Sequence, residues 1–173
     1  MYSPELYAQA SHLLEMAAIR GLMVATAESC TGGLIGGLLT EVPGSSIVVE
    51  RGFIVYSDDA KVELLGVPRG LITEHGAVSR EVALAMAGGA VERSRADLAV
   101  AVTGIAGPTG GTDTKPIGLV HIAVRGPGSS SLHKERRYGN LGRKMVRQRT
   151  VEDAMEMVRS VIRTLPAREP AEA

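Results

Sequence analysis

Two segments of the sequence hold the residue types that acyl transfer requires. The first, Thr26-Ala-Glu-Ser-Cys-Thr-Gly-Gly33, follows the apolar run Leu22 to Ala27 and precedes a stretch of helical composition. A serine between a buried strand and a helix stands where open α/β sheets bind ligands, outside the strand's carboxyl end. The free N–H groups and positive dipole end of such a helix would hold the oxyanion formed when Ser29 attacks a carbonyl, or equally a phosphate. Cys30, Thr31, Gly32 and Gly33 would carry those N–H groups, and the two glycines remove side chains that would block the approach. The simpler alternative is that Ser29 or Thr31 only caps the helix. The segment is neither Gly-x-Ser-x-Gly nor a phosphate-binding P-loop. Cys30 is a rival nucleophile, but a lone cysteine beside an apolar helix reads as packing.

The second segment is Tyr56-Ser-Asp-Asp-Ala-Lys61. A serine needs a base to take its proton, and a lysine can serve when it is neutral. Burial and a nearby positive helix end both favour the neutral amine. Tyr56 could relay the proton or hold the lysine in line. The plain alternative is a surface lysine paired with Asp58 or Glu63. The four histidines offer nothing better: His12 falls in a helix, His75 in a turn, His121 in a strand and His133 at a strand edge. No His or carboxylate spacing matches a metal site, so neither metal nor cofactor is expected.

Two further features point to an anion. The loop Val102-Thr-Gly-Ile-Ala-Gly-Pro-Thr-Gly-Gly111 could turn backbone N–H groups, with the Thr103 hydroxyl, toward a phosphate or oxyanion. Thr103, Gly104 and Gly107 are its candidates for lining a pocket. The alternative is a flexible connection between strands, although Pro108 and Pro116 suggest a shaped loop. In the last helix the apolar stripe is Val151, Ala154, Val158, Ile162 and Leu165. Stepping back along it reaches Arg147 and then Arg143, which should lean toward the sheet, while Arg149 falls on the opposite side. Inward-leaning arginines suit a phosphate.

These residues must be positioned by elements the pattern also indicates. Helices are expected over 4–20, 31–40, 57–65 with Ser57 or Asp58 as cap, from Ser79 to about Arg93, and over 141–165. Strands are expected over 22–27, 46–56, 97–103, 118–124 and 132–138. The fold class is therefore α/β, a single domain with one mixed sheet of about five strands. The domain is expected over residues 1–165, with 166–173 as a frayed tail.

Composition excludes several function classes. Lys+Arg and Asp+Glu both number 19, and there is no Trp and only one Phe, so neither charge nor stacking favours nucleic acid. No apolar run reaches the roughly 20 residues of a membrane helix, and the N-terminal stretch lacks a secretory pattern. The cytoplasm is the expected location. The single cysteine allows no internal disulfide.

Taken together, the segments resemble the CinA C-terminal domain family, the nicotinamide-nucleotide amidohydrolases. The pieces that carry the resemblance are Thr26 to Gly33, Val42-Pro-Gly-Ser-Ser46, Tyr56 with Lys61, His75-Gly-Ala-Val-Ser79, Ala101 to Pro108, and Lys115-Pro116. They span about residues 5 to 165. The resemblance implies a three-layer α/β/α domain that hydrolyses the carboxamide of nicotinamide mononucleotide to nicotinic acid mononucleotide and ammonia. It implies Ser29 as nucleophile, with Tyr56 and Lys61 as activating partners, and a pocket lined by the loop Thr103 to Gly107. Arg147 matches a family arginine and would take the substrate phosphate. The family's Gly-Asp-Arg reads Gly139-Asn-Leu-Gly-Arg143 here, which leaves the equivalence of Arg143 open. Longer relatives carry an N-terminal domain resembling molybdopterin-binding proteins that is not found in these 173 residues, so its activity is not expected. The alternatives are a non-catalytic nucleotide-binding module, an amidase for another small amide, and a partner of DNA-uptake proteins, suggested only by the family's competence-linked name. Whether the chain forms a homo-oligomer stays open, as does whether Glu28 is structural or catalytic, with structural preferred.

Overall fold

The computed structural model describes residues 2–166; the expected tail lies, from 167 on, outside the described residues. Five strands form one mixed sheet in the order β2-β1-β3-β4-β5. They are β1 (Val24–Glu28), β2 (Val49–Ile54), β3 (Leu98–Gly104), β4 (Leu119–Arg125) and β5 (Ser131–Arg137). The strands β2, β1 and β3 run parallel, and β4 and β5 are antiparallel additions at one edge.

The sheet is covered on both sides, and the strand sequences show why. In Leu98-Ala-Val-Ala-Val102, alternate residues point to opposite faces. Leu98, Val100, Val102, Val24, Val120 and Ile122 pack into one core with α1 (Pro4–Ile19), α2 (Leu34–Glu41) and α6 (Arg143–Thr164). Ala25, Ala27, Ala99, Ala101 and Ala123 face the other core, shared with α3 (Asp58–Leu65), α4 (Arg69–His75) and α5 (Arg80–Glu92). Small side chains on that face let α5 lie close. On α5 itself, a Cβ at Gly89 would stand 1.9 Å from the Leu65 carbonyl oxygen. The result is the expected three-layer α/β/α arrangement.

Three boundaries differ from the sequence reading. The helix after β1 starts at Leu34 rather than Thr31, because Gly32 (φ 58°) and Gly33 (φ 96°) turn the chain through left-handed conformations first. The expected strand over 46–56 divides into a 3-10 turn, Ser45–Ile47, and β2. The segment read as a turn around His75 is the end of α4, whose seven residues bury only Ile72 and so leave no helical periodicity to detect.

Candidate functional site

The three parallel strands end on the same edge of the sheet. Ser29 follows β1, Tyr56 follows β2, and the glycine loop follows β3. The connection from β1 to β2 runs through α2 on one face, and that from β2 to β3 runs through α3 to α5 on the other. Such a reversal opens a crevice at the strands' carboxyl ends. Ser29, Lys61, Thr103, Gly104 and Arg143 line a cleft of about 220 Å³ there.

Lys61 is fully buried, at 2% exposure, in the second turn of α3. Its Nζ lies 3.4 Å from Ser29 Oγ, 3.2 Å from the Tyr56 carbonyl oxygen and 3.4 Å from that of Ser57. A neutral amine has two N–H donors and one lone pair. Two carbonyls and one hydroxyl match that inventory. Burial lowers the lysine's proton affinity, and Asp58, with a carboxylate oxygen 3.8 Å away, opposes the shift in part. The site thus holds the lysine below its ordinary range beside a serine hydroxyl.

Other residues build the frame. Glu28 is 1% exposed, and its carboxylate accepts from the Thr31 hydroxyl at 2.7 Å and the N–H groups of Gly33, Ile35 and Gly36 at 2.8 to 3.0 Å. It caps α2 from the end of β1, a structural task. The Gly32 N–H donates to the Ser29 carbonyl, and that of Ser29 to Val102. Of the four residues expected to offer N–H groups, Gly32 and Gly33 are therefore already committed, leaving those of Cys30 and Thr31. The Ile105 N–H pairs with Leu119, so ladder alternation turns the Gly104 N–H away from β4, to the side where β1 has ended. Burial pushes the Cys30 thiol up to about 12, so it stands protonated at neutral pH and makes a poor nucleophile.

The remaining expected residues fall in several places. The Thr103 hydroxyl donates to the Ala77 carbonyl at 2.8 Å, fixing the cleft wall formed by Ala77 and Val78. Tyr56 is 61% exposed and its hydroxyl accepts from Arg143 Nη2 at 3.2 Å, while its backbone carbonyl meets Lys61. Gly107 contributes its carbonyl to Arg143 Nη1 at 3.2 Å. Arg147 leans inward as expected, but its Nη2 donates to the Thr31 carbonyl at 2.7 Å, and it lines a neighbouring groove rather than the cleft. Arg149 faces out and pairs with Glu152. Sequence reasoning missed Asp58 and the Ala77–Val78 wall as parts of the cleft; Asp58 reads as a surface partner, and the wall contributes no reactive side chain. Among the described residues no cluster of three or more His, Cys, Asp or Glu could hold a metal ion, and no helix is long and apolar enough to cross a membrane.

A buried serine–lysine pair at the carboxyl edge of an α/β/α sandwich defines a class of small domain. The chain belongs to the CinA C-terminal domain family, whose profile matches residues 7–162. It is 51% identical to the competence/damage inducible protein CihA of Agrobacterium tumefaciens, whose crystal structure superposes with a TM-score of 0.92 over 95% of this chain and 99% of that one. A CinA superfamily protein of Klebsiella pneumoniae, 28% identical, superposes with a TM-score of 0.87 over 92% and 99% of the two chains. A CinA-like protein of Parasynechococcus marenigrum is 49% identical over 87% of this chain and 36% of its own length. A putative competence-damage inducible protein of Symbiobacterium thermophilum is 59% identical over 63% of this chain and 26% of its own length. The chain thus spans about a quarter to a third of these curated relatives.

Proposed function

We propose that the protein is an amidohydrolase that converts nicotinamide mononucleotide to nicotinic acid mononucleotide and ammonia. The observation that carries this reading is the buried Lys61 amine 3.4 Å from Ser29 Oγ, with both its N–H groups matched by carbonyls. Neutral Lys61 takes the Ser29 proton as Oγ bonds to the carboxamide carbon. The N–H groups of Cys30, Thr31 and Gly104 are the candidates to hold the resulting oxyanion. The C–N bond then breaks, and the proton on Lys61 passes to the departing nitrogen, which leaves as ammonia. Lys61, neutral again, deprotonates a water that cleaves the Ser29 ester. The carboxylic acid leaves, and Ser29 recovers its proton. This is a Ser-Lys form of serine acyl chemistry.

For the phosphate, the cleft favours Arg143 over Arg147, since Arg143 lines it and Arg147 is committed to Thr31. Tyr56 then acts by orienting Arg143 at the cleft mouth rather than as a proton relay.

The test is ammonia release from nicotinamide mononucleotide by wild type and Ser29→Ala. Release that disappears in the variant supports the reading. Release that survives removes Ser29 as nucleophile. Thermal stabilisation by the nucleotide with no ammonia from the wild type would establish a binding module instead.

A further inference from the structure

A second groove, of about 410 Å³, opens where the first turns of α1, α2 and α6 meet. Its walls are apolar: Tyr2, Leu6, Leu34 and Val151. Its polar lining is cationic, from Arg143, Lys144 and Arg147, with Gln148 beside them and no carboxylate. Two carboxylates act on Tyr2 from nearby, Glu28 and Glu41, and Glu28 is already saturated by four donors at the start of α2.

One buried atom beside the groove lacks a match. Arg147 Nε is buried and has no hydrogen-bond partner among the described residues, although Nη2 of the same guanidinium is bonded to Thr31. A buried N–H on a cation is costly to leave unmatched, and an anionic oxygen is its strongest acceptor. Cations above an apolar wall select a ligand with both characters. A bare phosphate would leave the walls uncovered, and an aliphatic acid would not stack on the Tyr2 ring.

We propose that this groove is a regulatory site for a small aromatic anion, a flat ring carrying a phosphate or carboxylate. Arg143 couples it to the cleft. This residue borders both spaces and holds the cleft mouth through the Gly107 carbonyl and the Tyr56 hydroxyl. An anion in the groove draws Arg143 away from those two partners. Occupancy then weakens substrate binding while the buried Ser29–Lys61 pair stays in place.

The experiment is calorimetric titration of the whole chain with adenosine monophosphate, inorganic phosphate and decanoate as probes. The expected result is one adenosine monophosphate per chain, bound at least tenfold more tightly than phosphate or decanoate. Leu34→Trp, which fills the groove, should weaken it tenfold or more, Lys144→Glu several-fold, and Ser29→Ala not at all. Binding untouched by both groove variants, or phosphate and decanoate binding as well as the nucleotide, overturns the proposal. This arm does not depend on the amidohydrolase reading. The coupling arm rests on that reading: adenosine monophosphate should raise KM for ammonia release several-fold at constant kcat in wild type, but not in Leu34→Trp. An unchanged KM in wild type overturns the coupling through Arg143.

Discussion

Among the described residues, the largest side chain buried completely is a lysine, Lys61. Desolvation lowers its proton affinity in the folded state, whereas the unfolded chain leaves it ordinary. The unfolded state therefore binds more protons between the lowered folded value and the usual lysine range. Stability from this site is complete above that range and is lost as pH falls through the folded value. Lys61→Met should consequently melt at or above the wild-type temperature near pH 7, with the difference vanishing at strongly alkaline pH. Its turnover should fall by about 10² to 10⁴-fold, the usual contribution of a general base. A variant that loses stability at pH 7 as well as activity would show that the amine is structural. At this scale the sequence was partly legible. Ser29 stood out because it falls between a strand end and a helix start, whereas Lys61 read as a surface lysine until the family resemblance singled it out. The change in emphasis from Arg147 to Arg143 was not legible, because the hydrogen bond from Arg147 to Thr31 depends on how the turn at Gly32 and Gly33 brings that carbonyl to α6.

Among the elements, α5 rests on the alanine face of the sheet, and its close approach to α3 depends on a missing side chain. Gly89→Ala would force Cβ into the Leu65 carbonyl at the end of α3, the helix that carries Lys61. It should destabilise by about 1 to 3 kcal/mol, as overpacked cores do, measurable by urea unfolding. Strands β4 and β5 hold a second sensitive contact. His121 Nδ1 and His133 Nε2 lie 3.0 Å apart, with the rings stacked at 5.3 Å. That hydrogen bond needs at least one neutral ring. Burial and mutual repulsion lower the proton affinity of His121; burial and Arg80 lower that of His133. Glu81 and Glu135 oppose both shifts, and Lys115 adds to that of His121. Stability from the pair is therefore present above the ordinary histidine value, about 6.5, and lost as pH falls below it. Wild type should lose urea resistance between pH 7 and about pH 5, and His133→Gln should flatten that loss. Parallel curves for the two proteins would rule the pair out as the cause. Nothing local in the chain signals this contact, since it rests on the register that sets Ala123 opposite His133 and His121 opposite Glu135. Element existence was otherwise readable where periodicity ran long, as in α1 and α6. It failed at α4, whose single buried residue makes no pattern.

At the scale of the molecule, the continuous apolar run from Leu22 to Ala27 already implied a strand buried on both faces. Strand order was not readable, because nothing local to β1 states that β2 and β3 flank it. The cleft arises from that order: three segments distant in sequence meet because three parallel strands end together. The chain's one thiol, Cys30, sits inside this meeting point, adjacent to Ser29, buried and protonated at neutral pH. A thiol-specific dye can reach it only when the turn after β1 opens. The molecule thus carries a built-in clock for its own breathing, with a single tick site and no engineered label. Its labelling rate would count openings of the cleft floor, and a ligand seated above Ser29 would slow the count.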